Sequence, residues 1–222
     1  MKRIFNSPIK KISLGVLSLL CIGWTDGKAQ TLPEYLNFTA EITKEVGIDY
    51  LLYIPEDYTP SEGKPLLLFL TGEEYLGDID QLRSVGPCGE VESGMSFDYF
   101  IAAPQLPGDV LWDTEALLAL IDHISGSYHL DNSEIWLTGL GDRGGWGSWE
   151  LALLHSDRFK KFAPVASSPG TNVWQVHELS IRIYHGAQDD IVPVVDAENM
   201  FYELNWDDVD VDLTIFDDLG HD

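Results

Sequence analysis

Basic residues are scarce in this sequence of 222 residues: 13 Lys and Arg stand against 37 Asp and Glu, which gives a formal net charge of −24. A field of that sign repels the phosphates of nucleic acids and the anionic surfaces of membranes. We therefore expect no nucleic-acid partner.

Cysteines and metal-binding motifs are also nearly absent. The two cysteines are Cys21, in the N-terminal segment, and Cys88, so no internal disulfide is expected and Cys88 is predicted to be a small buried hydrophobic residue. The sequence has no His-Glu-x-x-His, no paired Cys/His spacing, no phosphate-binding loop and no calcium-binding loop. We predict that the protein uses neither a metal nor another cofactor.

The apolar stretch Ile12–Trp24 is short for a membrane-spanning helix, and small residues, Gly27 and Ala29, follow it. The basic residues that precede it are Lys2, Arg3, Lys10 and Lys11. This order is typical of a secretory signal, so we predict a signal peptide over 1–29 and a mature domain over 30–222. The mature protein is expected to be secreted or periplasmic, without membrane association once the signal has been removed.

The rest of the chain has the length of one domain and alternates strand-like with helix-like segments. Phe38–Thr43 and Asp49–Ile54 predict an antiparallel hairpin. The six strand-like runs that follow are Pro65–Leu70, Asp98–Ala103, Glu134–Leu137, Phe162–Ala166, Ile181–Tyr184 and Val209–Phe216. The predicted helices are Thr114–Ile124, Trp146–Leu154 and Asp196–Leu204, with Asp113 and Asp196 as candidate N-caps. This alternation predicts an α/β fold: a mainly parallel central sheet with helices on both faces.

Functional residues of such a fold lie at the carboxyl ends of the strands, in the loops after Leu70, Leu137, Tyr184 and Phe216. These loops contain Thr71-Gly-Glu-Glu74, then Gly139-Leu-Gly-Asp-Arg-Gly-Gly145, then His185-Gly-Ala-Gln-Asp-Asp-Ile-Val-Pro193, and finally Gly220-His221. Together with Ala103-Pro-Gln105 and Trp149-Glu-Leu-Ala152, from about residue 48 to the end, they resemble the α/β-hydrolase superfamily. The resemblance is to secreted esterases of the phospholipase/carboxylesterase and "predicted peptidase" type, related to feruloyl esterases and polyhydroxybutyrate depolymerases.

This resemblance implies a nucleophile, an acid and a histidine in that chain order, and Asp189 and His221 match the last two. An acid of this kind fixes the tautomer of the histidine and stabilises its protonated form while the histidine moves the proton of the nucleophile. The implied substrate is a small-molecule or polysaccharide-linked ester. Members of the family continue into a final helix after the histidine, whereas this chain ends one residue after His221, which indicates a fragment or an abbreviated member.

The nucleophile is where the sequence departs from the family. The pattern Gly-x-Ser-x-Gly-Gly is replaced by a segment without serine. Counting from the strand places Gly141 at the nucleophile position, whereas counting back from the helix glycines places Asp142 there. An aspartate nucleophile is known in this superfamily. Three functions therefore stay open: an ester hydrolase, an inactive hydrolase fold that binds a ligand, and a hydrolase with Asp142 as nucleophile.

The loop that supplies the oxyanion hole departs as well. Thr71 stands where the family has histidine, and we expect the backbone N–H groups of Glu73 and Arg143 to serve as donors. The carboxylates of Glu73 and Glu74 either point to solvent or oppose the negative charge that develops in the transition state. The spacing Gly139-x-Gly141-x-x-Gly144 is formally a dinucleotide-binding fingerprint, but it follows several strands instead of opening the fold.

Overall fold

The structure is a computed structural model that describes residues 34–41, 45–108, 110–169, 176 and 178–221. The predicted signal peptide over 1–29 lies outside the described residues. Within the described part of the chain, no helix combines the length and the apolar character that crossing a membrane requires.

Within the described residues, eight strands form one sheet. The strands are β1 (Glu34–Glu41), β2 (Glu45–Tyr53), β3 (Lys64–Leu70), β4 (Phe100–Pro104), β5 (Leu130–Leu140), β6 (Lys161–Val165), β7 (Ser180–Gly186) and β8 (Val211–Phe216). Their order in the sheet is β1-β2-β4-β3-β5-β6-β7-β8. β1 and β2 pair antiparallel, β2 is antiparallel to β4, and all other neighbouring strands are parallel. The predicted hairpin and the mainly parallel sheet are therefore confirmed.

The α-helices of the part of the chain that the structure describes are α1 (Gly86–Glu92), α2 (Thr114–Ser127), α3 (Gly141–Leu154) and α4 (Val194–Trp206). Asp113 caps α2 as predicted, because its carboxylate accepts a hydrogen bond from the N–H of Ala116 at 3.1 Å. The prediction that Asp196 caps α4 is wrong: the helix begins two residues earlier, after Pro193, and Asp196 lies in its first turn. Pro193 itself stands at the N-cap, and no side-chain hydrogen bond caps the helix there.

The two faces of the sheet are covered by different helices. On β2, Tyr50 and Leu52 belong to the larger core cluster, which includes buried residues of α2, α3 and α4, whereas Leu51 and Tyr53 belong to the smaller cluster on the other face. This alternation is the side-chain period of a strand that is buried on both faces. The smaller cluster is closed by α1 and the 3-10 helix Ile79–Ser84, neither of which the sequence pattern predicted.

Cys88 lies on α1 inside the smaller cluster and is fully buried, which confirms the expectation of a structural residue. Burial raises the pKa of its thiol to about 12, since the thiolate would lose its hydration there. The thiol is therefore held in its unreactive, protonated form.

Candidate active site

The turn between β5 and α3 is the strand-to-helix elbow that the sequence motif indicated. β5 ends at Leu140, α3 begins at Gly141, and Gly141 has a φ of 71°. This left-handed backbone is strained for most residues and is adopted readily by glycine. The backbone therefore takes the register that places Gly141, not Asp142, at the tip of the elbow.

The start of α3 packs directly against the end of β3. A Cβ atom on Gly144 would lie 2.6 Å from the carbonyl oxygen of Leu70 and 2.8 Å from Cα of Thr71, closer than real Cβ contacts. The absence of a side chain at this position lets the elbow approach the loop that follows β3. The glycines after the elbow thus bring the nucleophile position and the predicted oxyanion loop together.

Asp142 lies one residue beyond the tip, in the first turn of α3, with an exposed side chain. No hydrogen bond joins its carboxylate to His221 in the described part of the chain. The choice of Arg143 as an oxyanion donor depended on Asp142 being at the tip. With Gly141 at the tip, the residue that follows it is Asp142, so the expected donor changes from the N–H of Arg143 to that of Asp142. The hydroxyl of Ser148 is buried within α3 and donates to the carbonyl of Gly145 at 2.7 Å.

Asp189 lies in the turn after β7, and its carboxylate accepts hydrogen bonds from three groups, with the ring of His185 close beside it. The N–H groups of Ile191 and Val192 donate to Oδ1 at 2.9 and 2.8 Å, and Nε2 of His185 lies 3.2 Å from Oδ2. Nδ1 of His221 lies 3.0 Å from Oδ1 and 2.9 Å from Oδ2. Burial acts to raise the pKa of Asp189, but the hydrogen bonds from His221, Val192 and Ile191 outweigh it and hold the pKa below its usual value.

His221 follows β8 and lies between Asp189 and the elbow. Since an ionised carboxylate only accepts hydrogen bonds, Nδ1–H of His221 is the donor to Asp189 and Nε2 is left as the basic nitrogen. A Cβ atom on Gly141 would lie 3.4 Å from this Nε2. The structure therefore brings Asp189, His221 and the tip of the elbow together in the order of a catalytic triad, with a glycine where the nucleophile belongs.

His185 is a buried partner of Asp189 and lies away from the elbow. Besides its approach to Asp189, its Nε2 lies 2.8 Å from the carbonyl oxygen of Val192, and its side chain is fully inaccessible. The ring thereby links the end of β7 to the turn that follows it. His185 therefore has a structural role.

The loop after β3 carries the predicted oxyanion donor. Thr71 is buried, its carbonyl oxygen accepts a hydrogen bond from Nε1 of Trp112 at 3.2 Å, and Glu73 begins the 3-10 helix Glu73–Tyr75. The side-chain amide of Gln105 donates to the carbonyl of Tyr75 at 2.9 Å. These contacts fix the backbone of the loop beside α3.

Glu74 is the residue whose position the sequence did not settle. Its side chain is exposed, yet its carboxylate turns back toward the elbow, and a Cβ atom on Gly141 would lie 3.6 Å from its Oε1. The signal in the sequence was a pair of glutamates directly after the Thr-Gly of the oxyanion loop.

Among the described residues, no three His, Cys, Asp or Glu side chains are arranged to bind one metal ion.

Comparison with known proteins relates the chain to solved structures only: no protein-family model and no curated protein matches it. A thermostable esterase aligns with a TM-score of 0.67 and 26% identity over 82% of this chain and 54% of its own. The CE1 ferulic acid esterase from Anaeromyces mucronatus aligns with a TM-score of 0.61 and 14% identity, over 89% and 88%. The acylaminoacyl peptidase of Pyrococcus horikoshii gives 0.65 and 16%, over 85% and 38%.

These similarities confirm the predicted fold: the chain has the α/β-hydrolase fold. It spans about half the length of the thermostable esterase and nearly the whole length of the ferulic acid esterase. All three neighbours are hydrolases by name, which supports a hydrolase of this fold.

Proposed function

We propose that the protein is a secreted hydrolase of carboxylic esters in which Asp189 and His221 activate a water molecule in place of the missing serine. The observation that carries this proposal is the orientation of His221. Its Nδ1 is engaged by Asp189 at 2.9 Å, and its Nε2 lies 3.4 Å from where a Cβ atom of Gly141 would be. A triad without its nucleophile is still a carboxylate-supported general base that faces the reaction centre.

The reaction then proceeds by one displacement. His221 takes a proton from water through Nε2 while the water oxygen bonds to the carbonyl carbon, and Asp189 stabilises the imidazolium. We assign the stabilisation of the oxyanion to the N–H groups of Glu73 and Asp142. When the bond to the alcohol oxygen breaks, His221 returns its proton to that oxygen, so one ester and one water give one acid and one alcohol.

The names of the structural neighbours and the net charge of the chain support acyl esters as the class of substrate. Two of the neighbours are esterases, one of them acting on ferulic acid esters by its name. Together with the proposed export of the protein, this favours small or polysaccharide-linked acyl esters as substrates. Such substrates are neutral at the reacting carbonyl and do not need a basic binding site, which agrees with the strongly acidic chain.

Hydrolysis of short aryl esters tests the proposal. Surface histidines hydrolyse activated esters slowly, so the variant His221→Ala needs a matched control, and the exposed His129 supplies it as His129→Ala. Removal of a general base costs about 10²–10⁴-fold in rate, and we expect that loss with His221→Ala and none with His129→Ala. Asp142→Ala should retain activity, because this carboxylate lies outside the elbow tip. Loss of activity with Asp142→Ala would favour the aspartate nucleophile instead.

A second function, an inactive hydrolase fold that binds a ligand, is favoured by Gly141 itself. Replacement of the nucleophile by a residue without a side chain removes covalent catalysis. This function predicts that wild type and His221→Ala hydrolyse esters equally slowly. It also predicts that the protein binds aryl esters or the corresponding acids, as titration calorimetry would measure.

A further inference from the structure

A second carboxylate, that of Glu74, lies beside the tip of the elbow. Oε1 of Glu74 lies 3.6 Å, and Nε2 of His221 lies 3.4 Å, from the position that a Cβ atom of Gly141 would take. The Glu74 carboxylate has no hydrogen-bond or ion-pair partner among the residues that the structure describes. It is therefore a free acceptor directed at the same small volume as the catalytic nitrogen.

Gly72 makes this position of Glu74 sterically accessible. A Cβ atom on Gly72 would overlap Oε2 of Glu74 and would lie 3.1 Å from its Cδ. The glutamate side chain thus folds back over a residue without a side chain and reaches the elbow. With alanine at position 72, the carboxylate would have to move away.

We propose that Glu74 is a second catalytic residue, which together with His221 holds the two hydrogen atoms of the attacking water. This inference rests on the proposed water-based hydrolysis. With one hydrogen donated to Nε2 and the other to the Glu74 carboxylate, the lone pairs of the water oxygen are directed at the carbonyl carbon. Hydrogen bonds of this kind are commonly longer in the free enzyme and shorten when substrate binds.

The chemistry balances with Glu74 as an acceptor that is not consumed. His221 removes one water proton, and the hydroxyl group that attacks keeps the other, which stays hydrogen-bonded to Glu74. After the alcohol leaves with the proton of His221, the product acid carries the second hydrogen and loses it to solvent. Glu74 thereby orients the nucleophile, the task that a covalent link performs for a serine in other hydrolases.

If Glu74 instead opposes catalysis, removing its charge changes the rate in the other direction. A carboxylate near the oxyanion repels the charge that develops in the transition state, and its neutralisation would then accelerate the reaction. The variant Glu74→Gln keeps the shape and removes the charge, so the sign of its effect separates the two roles. Glu203→Gln, at an exposed glutamate of α4, is the matched control for the change in net charge.

We expect Glu74→Gln to lower kcat on aryl esters by about tenfold or more with a smaller change in KM, while Glu203→Gln has no effect. Gly72→Ala, which displaces the carboxylate without changing the charge, should lower kcat in the same way. Its effect should disappear in the Glu74→Ala background, where there is no carboxylate to displace. Circular dichroism of each variant verifies that the fold is retained.

The outcomes separate this inference from the proposed function. If kcat is unchanged or raised by Glu74→Gln while His221→Ala abolishes activity, Glu74 is not catalytic and the water-based hydrolysis stands. If wild type is no faster than His221→Ala, the proposed function fails and the inference fails with it. If Gly72→Ala lowers kcat equally with and without the Glu74 side chain, the effect comes from the backbone of the loop, and Gly72 does not govern the position of the Glu74 carboxylate.

Discussion

The backbone of Gly220 packs directly against Gly186: the carbonyl oxygen of Gly220 occupies the place where a Cβ atom of Gly186 would stand. Two backbone hydrogen bonds, each 2.9 Å long, reinforce this approach, one from Gln188 to Leu219 and one from Ala187 to Phe216. The turn that carries Asp189 and the loop that carries His221 are therefore joined through their main chains. The distance between Asp189 and His221 therefore depends on the absence of a side chain at Gly186.

The variant Gly186→Ala should separate the two loops. Because the clash is with backbone, we expect a loss of about 1–3 kcal/mol in the free energy of unfolding and a loss of ester hydrolysis. Gly126→Ala is the control, since Gly126 lies in α2 with nothing within 4 Å of a new Cβ, and alanine there should stabilise the protein by about 0.5–1 kcal/mol. Urea unfolding measures the free energy of unfolding of both variants. Equal effects of the two substitutions would show that the contact does not constrain the loops.

Gly141→Ser should rebuild a triad. The new Cβ would lie 3.4 Å from Nε2 of His221 and 3.6 Å from Oε1 of Glu74, which are ordinary contacts, while the φ of 71° costs about 1–2 kcal/mol for a residue with a side chain. A fluorophosphonate probe, which labels activated serines, should label Gly141→Ser and neither wild type nor Gly141→Ala. Gly141→Ala has the same backbone strain without the hydroxyl. Absence of labelling in Gly141→Ser would mean that His221 does not activate a group at this position.

Stability at acidic pH should depend on Asp189. Because the pKa of Asp189 is lowered in the folded protein, its ionised form stabilises the fold at pH values above the ordinary aspartate pKa of about 3.9, and this contribution is lost as the pH falls through the lowered pKa. We expect wild type to be more stable than Asp189→Asn at neutral pH, with the difference shrinking below about pH 4. Urea unfolding across this range gives the difference. A difference independent of pH would contradict the assignment.

Cys88 should resist thiol reagents until the protein unfolds. The thiol is fully buried and burial raises its pKa to about 12, so both access and ionisation oppose reaction. Mass spectrometry of the peptide that contains Cys88, after iodoacetamide treatment with and without denaturing urea, gives the labelled fraction. We expect labelling in urea only. Rapid labelling of the native protein would place Cys88 on an accessible surface.

Much of the fold was predictable because its strands and helices have strong local patterns. The apolar runs that became β3 and β7 are flanked by turn residues, and the capping carboxylate of Asp113 marks the start of α2. By contrast, α1 and the preceding 3-10 helix are short and rich in glycine and polar residues, and they are stabilised by packing on the sheet instead of by their own pattern.

The site was predictable in part for a different reason. Asp189 and His221 were predicted from the resemblance of their segments to the family motifs, and in the first segment a close backbone approach requires the glycine at position 186. The register of the elbow was undetermined because both Gly141 and Asp142 are compatible with the spacing, and only the left-handed backbone at Gly141 decides between them. The direction of the Glu74 side chain depends on the space that the absent side chain of Gly72 leaves, and this spatial contact cannot be derived from the sequence pattern.

The anchoring of Asp189 by its own turn has a consequence for assembly of the protein. Its carboxylate accepts hydrogen bonds from the N–H groups two and three positions later in the chain, so two of its three hydrogen-bond partners are local. An acid with local partners reaches its final position as soon as β7 and the following turn have formed. We expect the histidine, which a later strand carries, to dock onto an acid that is already in place.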